Sequence, residues 1–393
     1  MAANRKPNIV IAGGGPAGSS TAIRLASAGF RVTLIERERF PREKLCGEFI
    51  SPESLRHFAS LGVLGQMLDA GGARISATHF FDIRGRGIVI PSQVLDAGEC
   101  ALGLSRARMD EVLLRRAGEA GAEVIEEAAA AGVEMVDGRV AAVRVRTASG
   151  DKRIEGGLFI DATGRSGILA KLAAKENGSG GNRRRGTKIV GFKTHFRGAA
   201  LGRDACEIYS FPGGYGGASP VEGGRVNVCL FLTADAVKLA GGSGDRILED
   251  AVMVNPRARS SLFGAARDGE WLTVAVDDFG VWGMPAATNL LTVGDAAGFA
   301  DPFTGSGILL ALESSELLAG CITGHWDDAD ALAEHYRTEY KQRFASRFGV
   351  LRLLRRAAFS PFWGKMAIAA LRRSEGLRTM LARATRGQGN KQK

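Results

Sequence analysis

Cysteine is scarce in this chain and never paired. Five residues, Cys46, Cys100, Cys206, Cys229 and Cys321, are odd in number, widely scattered and nowhere spaced Cys-x-x-Cys, which argues against a disulfide framework and against a zinc site. No metal is expected. Long apolar runs are missing too: no stretch of about 18 uncharged apolar residues occurs. The start, MAANRKPNIVIAGGG, passes directly into a strand and a glycine turn, without the apolar region and small-residue cleavage site of a secretory signal. The expectation is a reduced, cytoplasmic setting. Acidic residues are nearly absent from one end: from Tyr340 to Lys393 there are 14 Lys/Arg and one acid, Glu375, although the whole chain carries only +10. The body is therefore close to neutral and the tail basic, a local basic element rather than a general nucleic-acid-binding surface.

Glycine is abundant. The 54 glycines sit in discrete turns rather than in a repeat, and a composition 45% apolar and 24% charged is that of an ordinary globular protein. At 393 residues the chain has room for two domains or one elaborated domain.

Asn8-Ile9-Val10-Ile11-Ala12 reads as a buried parallel strand, followed by Gly13-Gly14-Gly15-Pro16-Ala17-Gly18 and a helix predicted over Ser19 to Gly29. Gly13 permits the tight turn, Gly15 lets the backbone approach a pyrophosphate, and Gly18 permits close helix packing. The helix start, just after Ala17 and Gly18, offers free N–H groups and its dipole to phosphates. Phe30 to Glu36 forms the second predicted strand and ends in an acid 18 residues after Gly18. A carboxylate there accepts ribose hydroxyls and repels a 2′-phosphate, with Arg37 following it. The fingerprint identifies a dinucleotide but does not separate FAD from NAD.

A second segment does. Leu291-Thr292-Val293-Gly294-Asp295-Ala296-Ala297-Gly298 delivers Gly294-Asp295, and Pro302-Phe303-Thr304-Gly305-Ser306-Gly307 leads into a helix predicted over Ile308 to Ala319. These residues resemble the FAD-dependent monooxygenase and geranylgeranyl reductase superfamily. The resemblance implies that Asp295 binds the ribityl chain of FAD and that the loop after Pro302 lies beside the flavin ring. A helix N-terminus at Gly307 and Ile308 would stabilise negative charge on the reduced flavin. Between the two motifs, Leu158-Phe159-Ile160-Asp161-Ala162-Thr163-Gly164-Arg165-Ser166 resembles the family's middle motif, in which Asp161 and Gly164 would support the dinucleotide. Arg106, in Ser105-Arg106-Ala107-Arg108-Met109-Asp110, matches the family's cofactor-contacting arginine ahead of a helix. The resemblance spans roughly residues 8–325.

One FAD touching residues near 15, 36, 106 and 295 requires a discontinuous cofactor domain. The expected fold class is α/β: a Rossmann-type FAD-binding domain (1–75, 101–184 and 281–325) interrupted by a mixed-sheet substrate domain (76–100 and 185–280), with a basic helical C-terminal region (326–393). The Gly/Ser/Arg stretch from Asn177 to Gly186 reads as a connection entering the second sheet.

Phe40-Pro41-Arg42-Glu43-Lys44-Leu45-Cys46-Gly47-Glu48 resembles the Pro-x-x-Lys-x-Cys-Gly segment of geranylgeranyl reductases, which implies that Cys46 lies near the flavin as the candidate catalytic residue. Packing alone is the other reading of Cys46, and Lys44 and Glu48 are equally open to solvation, ion pairing or function. The same stretch loosely resembles the Phe-Pro-Arg…Gly-Glu segment of flavin-dependent halogenases. Gly213 to Pro220 aligns with the reductases' Tyr-x-Trp-x-Phe-Pro motif, with Tyr215 kept, Gly217 at the Trp position and Ser219 at the Phe position. These three are the expected substrate-pocket residues, and the two missing side chains would leave room for a different substrate. The halogenase motif Trp-x-Trp-x-Ile-Pro is absent at that point, Val281-Trp282-Gly283-Met284-Pro285 being a superficial echo elsewhere. No lysine is positioned by its motif to carry activated halide. Neither His57, His79 nor His195 has a spacing that marks an acid or base.

The leading expectation is double-bond reduction of an apolar or aromatic small molecule. Hydroxylation of an aromatic or polyketide-like substrate, halogenation, and a non-catalytic flavin-binding scaffold stand as alternatives. The electron donor would be NAD(P)H or a partner reductase. In the tail, Val350, Leu351, Leu353 and Leu354 beside Arg352, Arg355 and Arg356, then Phe359 to Trp363 and Leu371 to Leu381, read as helices with interleaved apolar and basic positions. Such helices either pack on the flavin domain or lie against an anionic membrane or acidic partner. No nucleic acid is expected as a partner.

Overall fold

The computed structural model describes residues 7–96, 98–178, 189–202, 204–276, 279–281 and 287–386. The apolar run Ile9–Ala12 is buried along its whole length and pairs in parallel with Val32–Ile35 on one side and Leu158–Asp161 on the other. With Leu290–Thr292 beyond Asp161 and Glu123–Ile125 beyond Ile35, these make a five-stranded parallel sheet. Burial on both faces explains the unbroken apolar sequences of its inner strands. Helix α1 (Pro16–Ser27) starts earlier than the predicted Ser19, because Pro16 at the first helical position gives up no hydrogen bond and already has the helical φ. Gly29, at φ +81°, turns the chain back to the second strand. Helix α2 (Arg106–Glu119) is capped by Ser105, whose hydroxyl accepts from the Arg108 N–H.

A second, eight-stranded sheet gathers Ala77–Phe81 and Gly87–Pro91 with strands between Ile189 and Val276. Its single parallel pairing, Ala205–Phe211 beside Ala77–Phe81, joins two parts of the chain far apart in sequence. Gly214–Pro220 lies between Ala205–Phe211 and Val226–Thr233, both antiparallel to it. A small antiparallel meander, Ala129–Val136, Arg139–Thr147 and Gly150–Glu155, was not anticipated in the sequence. Most of the Asn177–Gly186 connection and the Trp282–Pro285 echo lie outside the described residues.

Helix α3 (Gly307–Gly324) begins one residue before Ile308 and runs past the predicted Ala319. By length and hydropathy it passes as a membrane span, yet 67% of it is buried, and Leu310, Leu312, Leu318 and Ile322 join the main core. Helix α4 (Ala329–Ala358) sends Tyr336, Tyr340, Phe344, Phe348 and Leu351 into that same core. Helices α5 (Pro361–Arg373) and α6 (Glu375–Ala384) follow, each capped by a serine, Ser360 and Ser374. The basic tail thus packs its inner faces on the body. Arg347, buried on α4, donates to Glu313 of α3 at 2.6 Å and to the Thr385 carbonyl at 2.9 Å.

Candidate active site

The glycine turn is shaped by close contact. A Cβ on Gly13, at φ +107°, would lie 2.3 Å from the Ala162 carbonyl oxygen, and one on Gly18 would lie 1.9 Å from that of Gly13. Gly15 is different. Its Cβ would meet nothing nearer than the guanidinium groups of Arg42 at 3.7 Å and Arg106 at 4.0 Å. Backbone at the start of α1 therefore faces a cradle bounded by two cations. Glu36 is turned toward the same place: its Oε2 accepts from Gly14 N at 2.7 Å and its Oε1 from Glu38 N at 2.9 Å. Each oxygen keeps acceptor capacity for a ribose hydroxyl. Ala17 packs against Gly294, where a Cβ would lie 2.7 Å from its own. Arg37 is largely exposed and paired with Glu38, and its charge still acts on Lys44.

Arg106 grips Asp110 in a two-pronged pair at 2.8 and 2.7 Å, and Arg42 adds a contact to Asp110 at 3.1 Å. One buried carboxylate thus fixes two guanidinium groups and leaves the set net positive. Lys44 and Asp295 complete the ring. Enclosure in the cleft, then the nearby Arg106 and Arg42, push the Lys44 ammonium down to about 8, although solvent still reaches the side chain. Enclosure also pushes the Asp295 carboxyl up, while Arg106, Lys44 and Arg165 pull it back. The donor set fits FAD: cations and free N–H groups for a diphosphate, Glu36 for the adenosine ribose and Asp295 for the ribityl chain. Asp161 acts inside the protein, its oxygens accepting from Thr163 N, Thr163 Oγ1 and Ala170 N at 2.6 to 3.0 Å. It holds the turn in which Gly164 takes φ +71°.

The Pro302–Gly305 loop is set by Asp301, which accepts from Phe303 N at 2.9 Å and from the Tyr215 hydroxyl at 2.6 Å, with Arg355 at 3.4 Å. Gly305 stands at φ +59° and Ser306 is fully buried, its hydroxyl 2.9 Å from that of Thr304. Gly307 then opens α3, with Ile308 turned into the core.

A cavity of about 190 Å³ runs from this loop and Gly47 across the large sheet to helices α4, α5 and α6. Phe49, Phe80, Ile88, Ile208, Phe231 and Leu371 form much of its wall, and Tyr215, Gly217, Ser219, Pro302 and Gly305 also line it. Among the described residues, no lysine, histidine or carboxylate lines it. The glycine at 217 does not leave the expected room: a Cβ there would lie 2.7 Å from Ile208 Cδ1, so that isoleucine fills the direction a larger side chain would take.

Beside Cys46 stands a cluster that sequence reading missed. The Lys193 ammonium pairs with Glu43 and, at 2.9 Å, with Glu48; His195 Nε2 lies 2.7 Å from the other Glu48 oxygen. Glu48 also accepts from Arg106 N at 2.8 Å. Burial alone would push the Glu48 carboxyl up, but His195 and Lys193 hold it below the ordinary range. Glu43, Glu48 and His195 could together hold a metal ion, but Lys193 already supplies the cation there. The alternation of strand Ile189–Arg197 puts Lys193 and His195 on one face, and Glu48 stood in the segment around Cys46 as open to ion pairing, but nothing in the sequence joined the two across almost 150 residues. Cys46 is half-buried; its Sγ accepts from Glu48 N at 3.4 Å, its carbonyl accepts from the Asn227 amide at 3.0 Å, and it faces Arg106. His57 is buried near Glu316 at 3.6 Å, away from the cluster.

A family model described as FAD binding domain matches residues 6–345. A digeranylgeranylglycerophospholipid reductase of Methanosarcina mazei is 27% identical over 79% of this chain and 74% of its own length. A tryptophan 2-halogenase of Chondromyces crocatus is 26% identical over 86% of this chain and 65% of its own. A solved geranylgeranyl bacteriochlorophyll reductase-like protein of Thermoplasma acidophilum superposes with a TM-score of 0.77 at 20% identity, covering 96% of this chain and 95% of that one, which establishes the shared fold.

Proposed function

Because this chain belongs to the FAD binding domain family and is an FAD-dependent enzyme, we propose that it reduces a carbon–carbon double bond in a long apolar substrate held in the cavity beside the flavin loop. The observation that carries this reading is the cavity wall, predominantly apolar from the Pro302–Gly305 loop to α5, with Arg378 and Arg386 at its α6 end and no lysine among the described residues that line it. Bound FAD, reduced by NAD(P)H or a partner reductase, would supply the hydride, and a proton from solvent completes the addition across the double bond. The protein's part is placement and exclusion. Arg42, Arg106 and Lys44 would hold the diphosphate and Asp295 the ribityl chain, while Asp301 fixes the Pro302–Gly305 loop beside the site. Phe49, Phe80 and Phe231 keep water from the reacting carbons, which prolongs the life of a strong reductant. Cys46, next to the cavity-lining Gly47 and held by Asn227, sits where it sets the approach of substrate to the ring.

The experiment is a single turnover without oxygen. Enzyme carrying reduced FAD is mixed with a geranylgeranyl-chain phospholipid, and the product is examined by mass spectrometry. Gain of two hydrogens per double bond with flavin reoxidation is the expected result. An unreduced lipid, with flavin that reoxidises only when air is admitted and then hydroxylates or, with halide, halogenates an added phenolic substrate, would replace reduction by one of those chemistries.

A further inference from the structure

Helices α5 and α6 are apolar on two opposite sides. On α5, Gly364, Ala367, Ile368 and Leu371, spaced as one helical face, line the cavity. The opposite side carries Phe362, Trp363 and Met366, which are 64%, 63% and 52% exposed. On α6, Arg378, Leu381 and Ala382 line the cavity, while Met380 looks outward at 62% exposure. A helix that packs one face and wets the other carries polar residues on the wet side; here the outer side of a wall one helix thick is aromatic and thioether. Lys365, Arg372, Arg373 and Arg383 are exposed around it, and Glu375 is the one acid after Glu339.

We propose that the outer face of α5 and α6 docks on an anionic lipid bilayer, so that the cavity is separated from the acyl-chain region by a single helix layer. Aromatic and methionine side chains entering the headgroup boundary, with cations beside them at phosphate level, are the two features of interfacial binding, and neither alone suffices. Charge complementarity selects the bilayer: the basic rim favours anionic over neutral lipid. The proposal goes beyond the flavin reaction and rests on the reading of the cavity as an apolar-substrate site only in giving that substrate a source.

Full-length protein carrying FAD is sedimented with vesicles of phosphatidylcholine alone or of phosphatidylcholine with phosphatidylglycerol. Binding to the anionic vesicles, weakened by salt, is expected, together with quenching by bromine-labelled acyl chains of the emission that Trp363→Phe removes. Phe362→Ser/Trp363→Ser/Met366→Ser should keep the flavin spectrum and lose about tenfold or more in vesicle affinity. Should that variant lose its flavin, Lys365→Glu/Arg373→Glu provides the same test from the charged rim. Absence of vesicle binding, undiminished binding by a folded variant, or unquenched Trp363 overturns the proposal; so does equal binding to neutral vesicles. None of these readouts involves turnover, so a failed alkene reduction leaves the docking result standing, and the reverse.

Discussion

Tyr215 donates its hydroxyl to Asp301 across 2.6 Å, tying a strand of the large sheet to the turn that carries Pro302–Gly305. Both residues are buried, and the Tyr215 ring packs on Phe303 of that turn and on Phe359 just after α4. The contact makes the cavity wall and the flavin loop one mechanical unit. Tyr215→Phe removes one donor from a buried carboxylate, an expected loss of about 1–3 kcal/mol. Urea unfolding measures it, and a change below about 0.5 kcal/mol would mean that Phe303 N and Arg355 satisfy Asp301 unaided.

Asp295→Ala removes a charge-assisted acceptor from the cofactor cleft. FAD should leave this variant on dialysis while the wild type keeps it, with circular dichroism unchanged. Full flavin stoichiometry after dialysis would take the ribityl role from Asp295.

Lys44 gives a pH dependence of definite sign. Its ammonium is held near 8 in the fold against an ordinary 10.5. A diphosphate beside it favours the charged form, so above about pH 8 FAD binding takes up a proton and weakens as pH rises, by at most about tenfold per unit. Titration of apoprotein with FAD at about pH 7 and about pH 9 checks this, and Lys44→Gln should flatten the difference. Fold stability without FAD has the opposite slope. Between the two values the unfolded chain holds the proton that the folded chain has released, so raising the pH there stabilises the fold.

Lys193→Met strands Glu48, which is fully buried, beside His195 without its ammonium. Breaking a buried pair from one side costs about 3–5 kcal/mol. Lys193→Met/Glu48→Gln should recover part of that, because the amide still accepts from Arg106 N and carries no charge. A double variant destabilised by the sum of the two single changes would show that the two residues are not coupled.

Cys46→Ala should keep FAD and shift turnover or substrate preference, since Cys46 adjoins the cavity-lining Gly47 and the proposed diphosphate-holding groups are Arg42, Arg106 and Lys44. Wild-type kinetics would leave Cys46 a packing residue.

The cofactor half of this protein was legible in the sequence because its determinants are local. Gly13, Gly15 and Gly18 shape one turn, Glu36 ends the next strand, and Pro302 to Gly307 lead into a helix within a few residues; backbone sterics act at that range. The helix starts were misplaced by a few residues at most, where Pro16 fits the first turn better than the residues after it. What tertiary structure alone decided are the joins. Glu48 meets Lys193, Asn227 meets the Cys46 carbonyl, Tyr215 meets Asp301, and Arg386 donates to the Thr304 carbonyl at 2.9 Å. Each pair spans dozens of residues or more, and only the packing of separate strands, loops and helices brings the partners within reach. The cavity belongs to that second class: its walls come from separate parts of the chain, and their shared apolar character acquires meaning only once they enclose one space.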